Sequence, residues 1–316
     1  MALSIYLLYN MERFFILLVG AIVLISGCTI PGLDFGGGQL QSKYENDIVI
    51  IKDQSVFPQS VKANQQITLV TYVQNVGERQ KIPVTISLYD TCGVFNSITN
   101  QEQTSDLLPR EVKEIKWTLI PDTTKVKVPI PSCKLKVAVS YKYSTSSQTE
   151  IYFINSNEAQ RQQEEGKFVS KTSTPQKAEG PVVAYIVPDS NVRQPIATST
   201  REAYFPVSLY VENKGSGFLT SELKVSNLDI KYDNLGFAAN SGCPIESKKV
   251  EAITLIGKKS PPKPCNLKTP TDTDVPKEAT KRISVDFKDP YSYEFRKESS
   301  VTIEPVGYEA PKSAAN

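Results

Sequence analysis

"QITLVTYVQN", residues 66–75, alternates apolar and polar side chains and runs into Val76-Gly77. Successive side chains of a β-strand point to opposite faces, so this pattern describes a strand with one buried face and one wet face. Strands of that kind belong to antiparallel sheets. At the end of the run Asn75 is able to bond its own backbone, and Gly77 allows the chain to turn. The same alternation surrounds it: "DIVII" (47–51), "PVTISLYD" (83–90), "VKEIKWTLI" (112–120), "KLKVAVSYKY" (134–143) and "TEIYFI" (149–154). These runs are rich in Val, Ile, Thr and Tyr and are bounded by Pro, Gly, Asn and Asp, which marks strands and turns. Two such sheets face to face make a sandwich of about 100 residues.

The pattern returns further along the chain in "PVVAYIVP" (181–188), "YFPVSLYVEN" (204–213), "ELKVSNLDIKY" (222–232), "VEAITLI" (250–256), "KRISVDF" (281–287) and "SSVTIEP" (299–305). "TYVQNVG" (71–77) matches "LYVENKG" (209–215), each a strand ending in Asn-x-Gly. "VAVSYKYSTSSQTEIYFI" (137–154) parallels "ISVDFKDPYSYEFRKESSVTIEP" (283–305): a strand, an aromatic-rich turn region and a last strand. A repeat of about 140 residues is a domain duplication rather than a solenoid. The polar stretch 155–180 separates the copies, and its first part, Glu158 to Gly166, is able to form a short helix. The expected fold is therefore all-β: two tandem immunoglobulin-like antiparallel β-sandwiches, 44–154 and 181–305, with a flexible tail over 306–316.

The Val-x-Asn-x-Gly strand end of 73–77 followed by "PVTISLYD" resembles the CARDB-type immunoglobulin-like domains of archaeal and bacterial surface proteins. The likeness covers about 20 residues in the first copy and fewer in the second. It implies adhesion or spacing at a cell surface.

The N-terminus points the same way. Phe14 to Ile25, "FFILLVGAIVLI", is the one long apolar run, preceded by Met11, Glu12 and Arg13. As a helix it would span about 18 Å, short of the roughly 30 Å of a bilayer core but suited to a secretory signal. Ile25-Ser26-Gly27-Cys28 then resembles the lipobox of prokaryotic lipoproteins, which implies cleavage after residue 27 and a lipid on Cys28. A Pro- and Gly-containing polar tether, 28–43, follows. The alternative is an uncleaved signal anchor, a single N-terminal transmembrane segment. Both place the body on the extracellular face of the cell membrane.

Four cysteines remain after Cys28: Cys92, Cys133, Cys243 and Cys265. An even number outside the cell suggests disulfides, and of the three connectivities pairing within each half, 92–133 and 243–265, is favoured. The alternatives are free buried thiols and, less favoured still, a zinc site, for which there is neither a Cys-x-x-Cys pair nor a histidine.

The chain has no histidine, which removes Ser-His-Asp and Cys-His catalysis and His-ligated metals. No phosphate-binding glycine loop is present, and a net charge of +2 without a basic stripe excludes a nucleic-acid binder. Paired carboxylates for glycoside hydrolysis would be Asp229 with Asp233 or Asp272 with Asp274, more simply read as surface or turn residues. Asp272 and Asp274 are too few oxygens for calcium. Neither a cofactor nor a catalytic residue is expected. Tyr141, Tyr143, Tyr291 and Tyr293 are the candidate binding surface, although ordinary cross-strand packing is the favoured reading of them. Trp117 is expected in the core. Lysines 248, 249, 258, 259, 263 and 268 are candidates to meet an anionic polymer or lipid headgroups, with a solvated loop as the plainer alternative. The expected work is binding or spacing, toward a surface protein or a polysaccharide. An accessory subunit of an envelope assembly and a carboxylate-based hydrolase are the alternatives.

Overall fold

The computed structural model of the chain describes residues 45–308 except 97, 99, 177 and 234–250. The signal run, Cys28, the tether, Cys243, Lys248, Lys249 and the tail beyond 308 lie outside the described residues. Among the described residues no helix is long and apolar enough to cross a membrane.

The fold is all-β, sandwich-like, with several sheets and one short helix. In chain order the strands are β1 (Val49–Phe57), β2 (Ser60–Lys62), β3 (Ile67–Asn75), β4 (Ile82–Asp90), β5 (Glu102–Leu107), β6 (Val112–Leu119), β7 (Ile130–Tyr143) and β8 (Ser146–Ile154). Helix α1 (Ser156–Glu164) follows. Then come β9 (Val182–Pro188), β10 (Ile196–Ala197), β11 (Tyr204–Asn213), β12 (Phe218–Leu219), β13 (Leu223–Lys224), β14 (Leu228–Tyr232), β15 (Ala252–Ile253), β16 (Lys263–Lys268), β17 (Glu278–Phe287) and β18 (Tyr291–Glu304).

Strand formation follows the alternation. In β3 every second residue from Ile67 to Asn75 is buried. In β4 the apolar Ile82, Val84, Ile86 and Leu88 point inward while Pro83, Thr85, Ser87 and Tyr89 face out. Burying one such branched side chain is worth about 1.5–3 kcal/mol, so a one-residue register slip would forfeit the whole inner face.

Of the five sheets among the described residues, one is the two-stranded β13-β15 and the other four form two facing pairs. In the first, β1-β3-β6 lies against a six-stranded sheet ordered β12-β18-β7-β4-β5, with β2 added to β18. Gln54 of β1 donates its amide to the Leu135 carbonyl of β7 at 3.2 Å across the gap. In the second, β16-β11-β9 lies against β10-β8-β17-β14. There Phe153 of β8 meets Phe205 of β11 edge to face, 5.7 Å between centroids.

The expectation of two self-contained sandwiches divided at 155–180 needs correction. β8 pairs antiparallel with β17 in the second sandwich, and β18 pairs antiparallel with β7 in the first. The strand that ends the first half of the chain thus lies in the second sandwich, and the strand that ends the second half lies in the first. The reason is local. β7 and β8 are joined only by Ser144 and Thr145, β17 and β18 by Lys288, Asp289 and Pro290. Neither link contains glycine, and none of their residues has positive φ, whereas a two-residue hairpin favours Asn-Gly or Gly-x turns. The chain therefore runs on instead of reversing. The β7–β8 and β17–β18 strands form one antiparallel ribbon, held through its bend by the Phe287 N–H to Thr145 carbonyl bond of 3.1 Å.

The 155–180 stretch is likewise not a free linker. Asn155 caps α1 by accepting the Asn157 N–H at 3.0 Å, and its amide nitrogen donates to the Val275 carbonyl at 3.1 Å. The chain then runs back along β8, where the Gln176 N–H reaches the Gln148 carbonyl at 2.7 Å.

Candidate functional site

A buried network of hydrogen bonds lies where the ribbon passes from one sandwich to the other. β7 and β18 are in register with Tyr143 opposite Tyr291 and Tyr141 opposite Tyr293. All four side chains point inward and none is more than 7% exposed. The favoured reading as cross-strand packing holds, and their candidacy as an exposed binding surface is overturned. They are cross-strand core pairs, buried because the exchanged strands bring both aromatic regions to the same crossing. The Tyr141 and Tyr293 rings are 5.7 Å apart, and Phe287 meets Tyr291 edge to face at 5.0 Å.

A buried phenol needs a partner for its hydroxyl. Tyr291 Oη shares a 2.7 Å bond with Thr145 Oγ1 and accepts the Val182 N–H at 3.2 Å. Tyr293 donates to Asn213 Oδ1 at 3.1 Å. Tyr141 Oη accepts the Ile48 N–H at 3.5 Å. Burial pushes the hydroxyls of Tyr141, Tyr291 and Tyr293 above the ordinary phenol range.

The two Asn-x-Gly strand ends work as the sequence suggests. Asn75 Oδ1 accepts the Gly77 N–H and Asn213 Oδ1 accepts the Gly215 N–H, both at 3.0 Å. The second loop has a further task. Both carboxylate oxygens of Asp47, just before β1, accept the Ser216 N–H at 3.1 Å, so the start of the first sandwich is stapled to a loop of the second. Asp47 is 3% exposed. Burial pushes its carboxyl up, opposed by the bonds from Ser216 and by the charge of Lys258. Close approach here requires glycine: a Cβ on Gly215 would lie 2.5 Å from Asp47 Oδ1 and 2.6 Å from Pro181 Cβ. Asp47 carried no signal in the sequence; Asn213 and Gly215 did, through their repeat of Asn75 and Gly77.

The other expected residues fall elsewhere. Cys92 and Cys133 are joined in a disulfide with Cα atoms 5.6 Å apart. Cys265, on β16, is disulfide-bonded. Trp117 is 2% exposed and its indole N–H donates to the Asn100 carbonyl at 3.0 Å. Asp272 is held below the usual carboxylate range, first by the Thr198 hydroxyl and also by Ser156, and Asp274 by Thr271. Asp229 lies on β14 with Lys231 3.9 Å away, and the exposed Asp233 follows that strand. Lys263 pairs with Glu251, and Lys268 with Glu202 at 3.1 Å. Among the described residues no group of three or more Cys, Asp or Glu is arranged to hold a metal.

Two aromatic clusters on outer faces escaped the sequence reading. Arg296 of β18 stacks over Phe218 at 4.2 Å and Tyr89 at 5.0 Å. Tyr185 of β9 and Tyr210 of β11 stack at 5.6 Å, with Lys259 Nζ 4.2 Å from the Tyr210 ring. A shallow depression of about 590 Å³, lined by Thr85, Ser105, Ser140, Lys142 and Ser292 among others, lies on the outer face of the six-stranded sheet.

No protein-family description matches this chain, and no curated protein does. Among solved structures, the collagen adhesin from S. aureus aligns with 82% of this chain and 93% of its own length at 12% identity, with a TM-score of 0.13. A likeness at that score carries no functional argument.

Proposed function

We propose that this chain is a lipid-anchored protein of the outer cell surface that works by binding or spacing. It presents two immunoglobulin-like sandwiches of the CARDB kind whose last strands are exchanged. The shared ribbon is the observation that carries this. From Ile130 to Ile154 its contour is about 80 Å at roughly 3.3 Å per residue, bent once between β7 and β8. Both of its strands belong to both sandwiches, and the buried tyrosines and Asp47 lock its crossing. That construction suits a stiff spacer better than two beads on a linker. The anchor is the lipid on Cys28, or the uncleaved apolar run in its place. The partner is a surface protein or a polysaccharide met through loops, outer faces or sheet edges. The chain does no chemistry in this account: Asp272 and Asp274 are committed to loop hydrogen bonds, and Asp229 lies beside Lys231.

Cross-linking on intact cells, followed by identification of what is attached, tests the proposal. Links to many envelope components or to further copies support a spacer or adhesin. A single dominant membrane complex would replace it with an accessory subunit. Intact mass of the membrane form should show loss of residues 1–27 and a lipid increment; a full-length N-terminus would leave only the signal-anchor form.

A further inference from the structure

The junction fixes where the tether meets the body. Asp47 is pinned to Ser216, so the chain coming from Cys28 joins at the waist of the ribbon and not at either tip.

Beside that point lies a face unlike the rest of the surface. Lys214 precedes Gly215 and Ser216 in the stapled loop and is exposed. Lys258 Nζ donates to the Gly215 carbonyl at 2.8 Å. Lys258 and Lys259 sit in a tight turn closed by the Ile256 N–H to Lys259 carbonyl bond of 2.8 Å, with Gly257 and Lys258 at φ 58° and 80°. The turn projects Ile256, 70% exposed. Behind it Tyr185 and Tyr210 stack under Lys259 on the outer side of β9 and β11, and Lys214 Nζ lies 5.9 Å from the Tyr185 ring. Val183, Val187 and Ala178 join the two rings in an apolar cluster separate from the main core. Glu212 accepts the Tyr185 hydroxyl at 3.2 Å and the buried Asp47 carboxylate feels the charge of Lys258, so among the described residues Lys214, Lys258 and Lys259 are the exposed charges of this face.

We propose that this face rests on anionic lipid headgroups beside the tether. Lys214, Lys258 and Lys259 meet the phosphates, Ile256 and the partly exposed Tyr210 ring sit at the interface with the buried Tyr185 behind it, and both sandwich tips stay clear. Lysines near an anionic leaflet, and tyrosines at the headgroup level, are the recognised chemistry of such contacts. The tether supplies the effective concentration that makes a weak contact count. The inference builds on the proposal that the N-terminus anchors the chain.

The test is lysine acetylation of the full chain reconstituted in phosphatidylglycerol-containing vesicles, in phosphatidylcholine vesicles and in detergent, read by mass spectrometry. Lys214, Lys258 and Lys259 should react at least about fivefold more slowly on the anionic vesicles alone, and lose that protection in about 0.5 M salt. Lys127 and Lys277 should not change. A chain that floats with the vesicles while the three lysines react at the detergent rate overturns the contact but not the anchor. A chain that fails to float overturns both. Equal protection on neutral vesicles rules out headgroup charge, and protection that grows with protein concentration without vesicles assigns the face to a second copy; either overturns the proposal.

Discussion

Replacing Gly215 by alanine probes the junction with the least chemistry. The added Cβ would fall on Tyr293 Oη and within 2.5 Å of Asp47 Oδ1 and 2.6 Å of Pro181 Cβ. None of these neighbours is free to move: Tyr293 is fully buried and bonded to Asn213, and Asp47 is bonded to Ser216. Overpacking of a closed site costs about 1–3 kcal/mol, and losing the Tyr293–Asn213 bond adds roughly 0.5–1.5 kcal/mol. The expected loss is about 2–4 kcal/mol. The repeat supplies its own control. At Gly77 a Cβ would lie 3.1 Å from Asn75 Oδ1 and 3.4 Å from Ile48 Cγ2, so Gly77→Ala should cost under about 1 kcal/mol. Urea unfolding followed through the single tryptophan is the assay. The clash falls on Tyr293 of β18 and on Asp47 before β1, which belong with Trp117 to the first sandwich, so the Trp117 midpoint reads the loss directly. Variants within about 0.5 kcal/mol of each other, or a Trp117 midpoint left at the wild-type value, would refute the reasoning.

Removing the 92–133 disulfide, by Cys92→Ser with Cys133→Ser, should lower stability by about 4 kcal/mol on the chain-entropy model for its separation of 41 residues, measured by the same unfolding curves. Asn75→Ala deletes the side chain that donates to the Gln80 and Leu107 carbonyls at 3.0 and 3.1 Å, and should cost about 1–3 kcal/mol. The buried tyrosines set an alkaline limit. Their folded-state pKa values are raised, so above about pH 10 the unfolded chain has released protons that the folded chain still holds. Their contribution is complete below that pH and falls as pH rises, by up to about 1.4 kcal/mol per pH unit for each. Tyr291→Phe should therefore flatten the fall of stability between roughly pH 10 and 12, and an unchanged slope would contradict the assignment.

Much of the strand inventory was legible because alternation reports burial directly. The 204–213 run is β11 residue for residue, and Asn75 and Asn213 turn their strands as the repeat suggests. What the sequence hid is which strand pairs with which. Alternation fixes the face a side chain takes, not its neighbour, and β7–β8 reads equally as a hairpin or as one continuous strand. The absence of a turn-forming glycine at 144–145 was the available clue. The stretch 288–298, rich in aromatic and charged residues, read as a turn, yet β18 begins at Tyr291. The tyrosines were legible as packing residues of paired regions, but their direct pairing with one another was not, because it depends on β18 joining β7. β5, "EQTSDL", was missed because it is a polar edge strand with only Leu107 buried.

The exchange itself is the central claim, and a distance between spin labels at Lys136 and Tyr152 tests it most directly. On the continuous β7–β8 strand the two sites lie roughly 50 Å apart at about 3.3 Å per residue, less any shortening at the bend. If β7 and β8 instead folded back as a hairpin within the first copy, the sites would be near neighbours across two strands, about 5 Å apart at the backbone. A single long distance supports the ribbon; a short one would return the molecule to two separate sandwiches and remove the basis for a stiff, waist-anchored spacer.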